Sequence, residues 1–155
     1  MELKTKVNAE EGKNDLVITR AFELPLELLF RACTEPDLVA QWMGTRVLKM
    51  ENRPHGGYQL ETRDGQGNVV FEAHGTIHEF VPNEKITRTF EMTNAHFGVQ
   101  LEFMEFEKLT DDTSKLTIHT IYRSNALRDE NLQLPFRQGI NWAHNELEKI
   151  ARKLK

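Results

Sequence analysis

One cysteine, Cys33, stands in the whole chain, so no internal disulfide can form and a reducing cytoplasm is the expected compartment. Long apolar runs are missing too. No stretch approaches the ~20 residues of a membrane span, and the opening Met1-Glu2-Leu3-Lys4-Thr5-Lys6 lacks the apolar core of a signal peptide. There is no basic excess. The formal charge is −4 with both signs interspersed, which argues against nucleic acid or an anionic membrane as partner, because neutralising phosphates needs a basic face. Only two serines occur, Ser114 and Ser124, and neither sits in a G-x-S-x-G elbow. No phosphate-cradling glycine loop or dinucleotide fingerprint is present, so no cofactor is expected. Repeats and low-complexity linkers are lacking, and 155 residues suit one domain, residues 1–155, that buries roughly 70% of its unfolded surface.

Metal ligands are no better represented. His74 and His78 fall on one face of one strand, but such a pair lies ~13 Å apart, too far to share an ion. His119 points away from the inferred interior and His144 flanks a helix stripe, with no HExxH and no cysteine partner. No metal site is expected.

What is present is periodicity. From Leu134 to Lys155 the residues Phe136, Ile140, Ala143, Leu147, Ile150 and Leu154 recur at steps of three and four, one stripe of a long α-helix. Arg137, Gln138, Asn141, Asn145, Glu148, Lys149 and Arg152 read as its solvated side. Upstream, Leu16 to Phe22 alternates as a strand, interrupted on its apolar side by Arg20, and Thr5 to Ala9 could add a short edge strand. Pro25 and Pro36 then open two short helices, the second ending at Gly44. From Thr45 to Tyr122 strands follow one another between turns such as Arg53-Pro54-His55-Gly56-Gly57 and Asp64-Gly65-Gln66-Gly67. Their expected inward sides are Tyr58, Leu60 and Thr62, then Phe71, Ala73 and Ile77. Arg88 and Phe90 follow, then Val99, Leu101 and Phe103 with a phase slip at Met104 and Phe106, and last Ile118, Thr120 and Tyr122. Arg123 to Gln133 reads as a connection.

This order predicts an α+β helix-grip fold: a curved antiparallel sheet of about six to seven strands around a C-terminal helix, with two short helices after the first strand. A sheet bent around a helix leaves a hollow, and the short helices wall one end of it.

Several stretches carry a family likeness. They are Leu16-Val17-Ile18-Thr19-Arg20-Ala21-Phe22 followed by Pro25, Phe30-x-Ala32-x-Thr34-x-Pro36, Trp42-Met43-Gly44 and Arg53-Pro54-x-Gly56-Gly57-Tyr58. Gly75-Thr76-Ile77-x-Glu79-x-x-Pro82-x-Glu84 and Gly139-Ile140-Asn141 ahead of Leu147 complete the set. In that order the chain resembles the standalone homologues of the heat-shock-protein-90 ATPase activator domain. That group lies within the SRPBCC helix-grip superfamily of START domains, birch-pollen-allergen-like proteins and polyketide cyclases. The resemblance implies an apolar cavity for a small hydrophobic ligand or a chaperone-regulating surface; the superfamily shares a pocket, not a catalytic motif. Cys33 and Met43 stand where relatives often carry aromatic residues, which implies a larger or reshaped hollow at that end.

The expected cavity residues are therefore Trp42 and Met43 from the short helices, with Tyr58, Leu60, Thr62, Phe71, Ala73, Arg88, Phe90, Leu101, Phe103, Ile118, Thr120 and Tyr122 from the strands. Phe136, Ile140, Ala143 and Leu147 complete it from the last helix. Trp42 either lines the pocket or anchors its helix. The hydroxyls of Tyr58, Thr62, Thr120 and Tyr122 either orient a ligand or bond to backbone and water. Arg20 and Arg88, on otherwise apolar strand faces, either hold a carboxylate ligand, pair with an internal glutamate such as Glu105, or are turned outward by a bulge. Covalent catalysis has no candidate; an enzyme here, of cyclase or dehydratase type, would use general acid–base groups such as Arg88, Glu105 or Tyr122. Trp142 lies off the buried stripe and either makes a homodimer contact or lies flat against a neighbouring loop. A chaperone would instead use the convex face with Glu61, Arg63, Glu72 and His78.

Overall fold

The structure, a computed structural model, describes residues 3–155; Met1 and Glu2, which the expected 1–155 domain and the N-terminal reading above include, lie outside the described residues. The elements are β1 (Lys6–Asn8), β2 (Asp15–Phe22), α1 (Leu26–Thr34), α2 (Pro36–Met43), β3 (Arg46–Met50) and β4 (Gly57–Arg63). There follow β5 (Val69–Val81), β6 (Lys85–Met92), β7 (Val99–Lys108), β8 (Ser114–Ile121), α3 (Asn125–Gln133) and α4 (Phe136–Arg152). All described strands form one antiparallel sheet in the order β1-β2-β8-β7-β6-β5-β4-β3. It has eight strands rather than six or seven, because residues 6–8 pair with Val17–Thr19 as an edge strand.

The chain leaves the sheet at β2, next to one edge, and re-enters at β3 on the other. α1 and α2 make that crossing. Glu35 between them is extended (φ −81°, ψ 121°), as a residue before proline must be, and Pro36 then starts α2 in its first turn. Gly44 stops it in the left-handed conformation at φ 62°.

Three expectations are corrected. Residues 125–133 are a helix, not a connection: Ser124 caps it by accepting from the Leu127 N–H. Its buried residues are Arg128 and Asn131, so an apolar-periodicity search passes over it. Strand β7 has the opposite phase. It pairs with β6 and β8 without a slip, and its inner side carries Gln100, Glu102, Met104 and Phe106, while Val99 is 44% exposed. Leu101 and Phe103 accordingly face outward, Phe103 resting against His119 at 6.0 Å. The alternation misleads here because two polar residues occupy the inner side.

The third correction concerns α4. Leu147 and Ala151 are fully buried, but so, nearly, are Asn141, His144 and Glu148. Asn141 and Glu148 are not on a solvated face. The Thr5 N–H donates to Asn141 Oδ1 at 3.0 Å, Thr5 Oγ1 lies 2.9 Å from His144 Nδ1, and the Glu23 N–H donates to Glu148 Oε2 at 3.0 Å. Arg20, 2% exposed, reaches Asn145 Oδ1 at 2.7 Å and lies 3.8 Å from Glu148. Apolar contact and this polar seam together seat α4 against the sheet.

Candidate functional site

Between α4, the short helices and the concave face of the sheet lies a cavity of about 330 Å³. Phe136, Ile140, Ala143 and Leu147 form its roof on α4. Its floor is Ile18, Leu60, Phe90, Met92, Met104, Leu116 and Ile118 from the sheet. Cys33, Val39, Trp42, Met43 and Met50 close the end where α1 and α2 cross. The polar lining is sparse: Arg88, Gln100, Glu102, Thr120, Tyr122, Asn131 and His144.

Six of the expected residues are elsewhere. Leu101 and Phe103 face out, for the reason of phase given above. Tyr58 lies on the concave face, 2% exposed, but its hydroxyl donates to the Thr89 carbonyl and its ring covers Gly75, so it is wall rather than lining. A side chain at Gly75 would collide with that ring and with the Thr89 carbonyl. Thr62 donates its hydroxyl to Thr45 Oγ1 at 2.9 Å, close to the β3 edge. Ala73 is buried beside Leu60 in the strand register, and Phe71 is half-buried beyond it. Sequence reasoning in turn missed Gln100, Glu102 and Asn131. Glutamine and glutamate on a strand carry no signal of burial by themselves.

Trp42 does two things. Its indole N–H donates to the Ala32 carbonyl at 2.8 Å, tying α2 to α1, and its ring lines the cavity. Arg88 pairs with Glu102 at 2.9 Å, not with Glu105, which is exposed on the opposite side of the sheet. Its guanidinium carbon sits 4.7 Å above the Tyr58 ring. Burial opposes the Arg88 charge, but Tyr58 and Glu102 more than offset it and its pKa is raised. Arg20 does not reach the cavity; it belongs to the polar seam beneath α4, where its Nε and Nη2 have no hydrogen-bond partner among the described residues.

Three titratable groups of this lining are held in their uncharged forms. Burial pushes the Cys33 thiol up to about 12 and the Tyr122 phenol up to about 12, the latter accepting from Asn131 Nδ2 at 2.7 Å. Burial, with the Arg20 charge beside it, pulls His144 down to about 3, so its ring is neutral. Among the described residues no cluster of histidine, cysteine, aspartate or glutamate could hold a metal ion, and no helix is long and apolar enough to cross a membrane. Trp142, on the outer side of α4, is 60% exposed.

The fold recurs in solved structures. A protein from Rhodobacter sphaeroides superposes with a TM-score of 0.85 at 16% identity, covering 96% of this chain and 99% of that one. One from Mycobacterium smegmatis gives 0.82 at 16% identity over 94% and 95% of the two chains. A third, from Chromobacterium violaceum, gives 0.73 at 23% identity over 89% and 96%. These likenesses show the helix-grip architecture. No curated protein matches the chain. Residues 23–152, which hold six of the eight described strands and every described helix, match the family described as activator of Hsp90 ATPase homolog 1-like protein, and the chain belongs to that family.

Proposed function

We propose that this protein holds a small hydrophobic molecule, without catalysis, in the cavity between α4 and the sheet. The observation that carries the reading is the size and chemistry of the hollow: about 330 Å³, lined mainly by aliphatic, aromatic and methionine side chains. At ~24 cal/mol per Å³, an empty void of that size would cost about 8 kcal/mol, comparable to the whole net stability of a domain. An apolar guest suits such a lining better than water does. Membership of the family supports a ligand-binding or regulatory module of this kind.

The chaperone-regulating reading draws on the family's description alone. On the face that would carry it, Glu61 is held by Arg63 at 2.6 Å and faces Arg46 at 3.8 Å, which leaves Glu72 and His78 as its more available groups. The cyclase-like reading loses Glu105, which is on the wrong side of the sheet.

Native mass spectrometry of freshly purified protein tests the proposal. The expected result is a species heavier than the 18.0 kDa chain by one small molecule, lost under denaturing conditions. A bare chain, together with no uptake of added apolar probes, would overturn it. The same spectrum reads the homodimer that exposed Trp142 suggests, as a doubled mass absent from Trp142→Ala.

A further inference from the structure

We infer that the guest is an uncharged molecule of about a dozen non-hydrogen atoms with a hydroxyl at one end, selected by Arg88, Glu102, Gln100 and Thr120. This rests on the binding function proposed above and specifies its ligand.

The size follows from the volume. An apolar cavity of ~150 Å³ accommodates benzene, with six carbons, and at the same ratio 330 Å³ holds about thirteen non-hydrogen atoms.

The polar end follows from a row of side chains on the cavity floor. Arg88, Glu102 and Thr120 are direct cross-strand partners on β6, β7 and β8, and Gln100 is the next inward residue along β7 from Glu102. Gln100 is 4% and Thr120 3% exposed, yet among the described residues neither side chain has a hydrogen-bond partner. Arg88 uses only its Nε on Glu102 Oε1; its two terminal nitrogens and the second carboxylate oxygen make no hydrogen bond to the described residues. None of these atoms is sealed off in the protein, since the fully occluded and unpartnered ones are both on Arg20. They remain accessible where they line the cavity. Buried polar groups are normally satisfied, so four side chains left open toward one hollow mark where a guest's polar end, or water, completes them.

The charge of that guest follows from the ion pair. Arg88 and Glu102 cancel one another, leaving donors and an acceptor side by side with no net charge. A carboxylate guest would bring a second negative charge beside Glu102 with one guanidinium to share, and an amine would crowd Arg88 in the same way; both lose their hydration on entry. A hydroxyl meets neither obstacle. It donates to the free Glu102 oxygen and accepts from Arg88 or Thr120.

The test is a set of bicyclic probes titrated calorimetrically into the full chain at neutral pH: 2-naphthol, naphthalene and 2-naphthoate. The expected order is 2-naphthol tighter than either of the others by about tenfold, one good hydrogen bond to a charged group. Glu102→Gln frees the Arg88 charge and should move the naphthol-to-naphthoate ratio toward naphthoate by about tenfold. Thr120→Val, which keeps the shape and alters no charge, should narrow naphthol's lead over naphthalene, so the inference stays testable if the Glu102 variant fails to fold. Naphthoate binding as well as naphthol would overturn the uncharged guest, and naphthalene binding as well as naphthol would overturn the polar row. If none of the three binds, naphthalene included, the binding function itself falls.

Discussion

Truncating Leu147 to alanine measures how α4 holds the sheet and the cavity apart. Leu147 is fully buried in the C-terminal half of α4 and lines the cavity roof. Leu147→Ala removes three carbon groups, worth about 2.4 kcal/mol of transfer free energy at ~0.8 kcal/mol each. The vacated space joins a hollow that already exists, and the polar seam on either side of Leu147 keeps α4 from sinking into it. Asn141 and Glu148 are tied to Thr5 and Glu23 by the 3.0 Å bonds described above. A further cavity penalty therefore applies, and the total should be about 3–4 kcal/mol, within the range for buried Leu→Ala changes. For a chain of this length that lowers the melting temperature by about 6–16 °C. Urea denaturation should show a lower midpoint at unchanged slope, with Trp142→Ala, at an exposed site, staying within about 0.5 kcal/mol of the parent. The enlarged cavity should also admit a probe one ring larger than the parent accepts. A loss below about 1 kcal/mol, with no change in the size of probe accepted, would mean that α4 settles onto the sheet, and the rigid-seat argument would be wrong.

Two further outcomes follow from the buried groups. His144 titrates near 6.5 when unfolded but is held to about 3 in the fold, so the unfolded chain binds the extra proton between those values. Stability is therefore unaffected by His144 well above pH 6.5 and declines as pH falls through and below it; from alkaline pH down to about pH 5, above most carboxylate titration, the loss should be about 2 kcal/mol, and His144→Gln should remove it in paired urea titrations. Cys33, with its thiol pushed up to about 12, should resist a small alkylating reagent in the folded protein at mildly alkaline pH and react fully in urea; equal rates in both states would show that the cavity end formed by α1 is open to solvent.

Much of the architecture was legible in local chemistry. Pro25, Pro36 and Gly44 bound the two short helices because ring closure and positive φ act within a residue or two. Leu16, Ile18 and Phe22 share the buried side of β2, as their period-two spacing requires. Trp42, Met43, Leu60, Arg88, Phe90, Ile118, Thr120 and Tyr122 are brought together around the hollow with Phe136, Ile140, Ala143 and Leu147. The three corrections to the fold share one cause. α3 buries Arg128 and Asn131, β7 turns Gln100 and Glu102 inward, and α4 buries Asn141 and Glu148, so each presents a polar residue where periodicity looks for an apolar one.

By itself the sequence determined the order and type of most elements, the antiparallel sheet and the amphipathic closing helix, because these depend on spacing and on neighbours a few positions away. Only the tertiary structure decided which polar side chains are buried. Whether Asn141 faces water or protein depends on the Thr5 N–H, 136 positions distant in the chain, and whether Glu102 faces inward depends on Arg88 meeting it from the adjacent strand. A buried polar group is tolerated only where a partner arrives, and which partner arrives is a property of the folded chain.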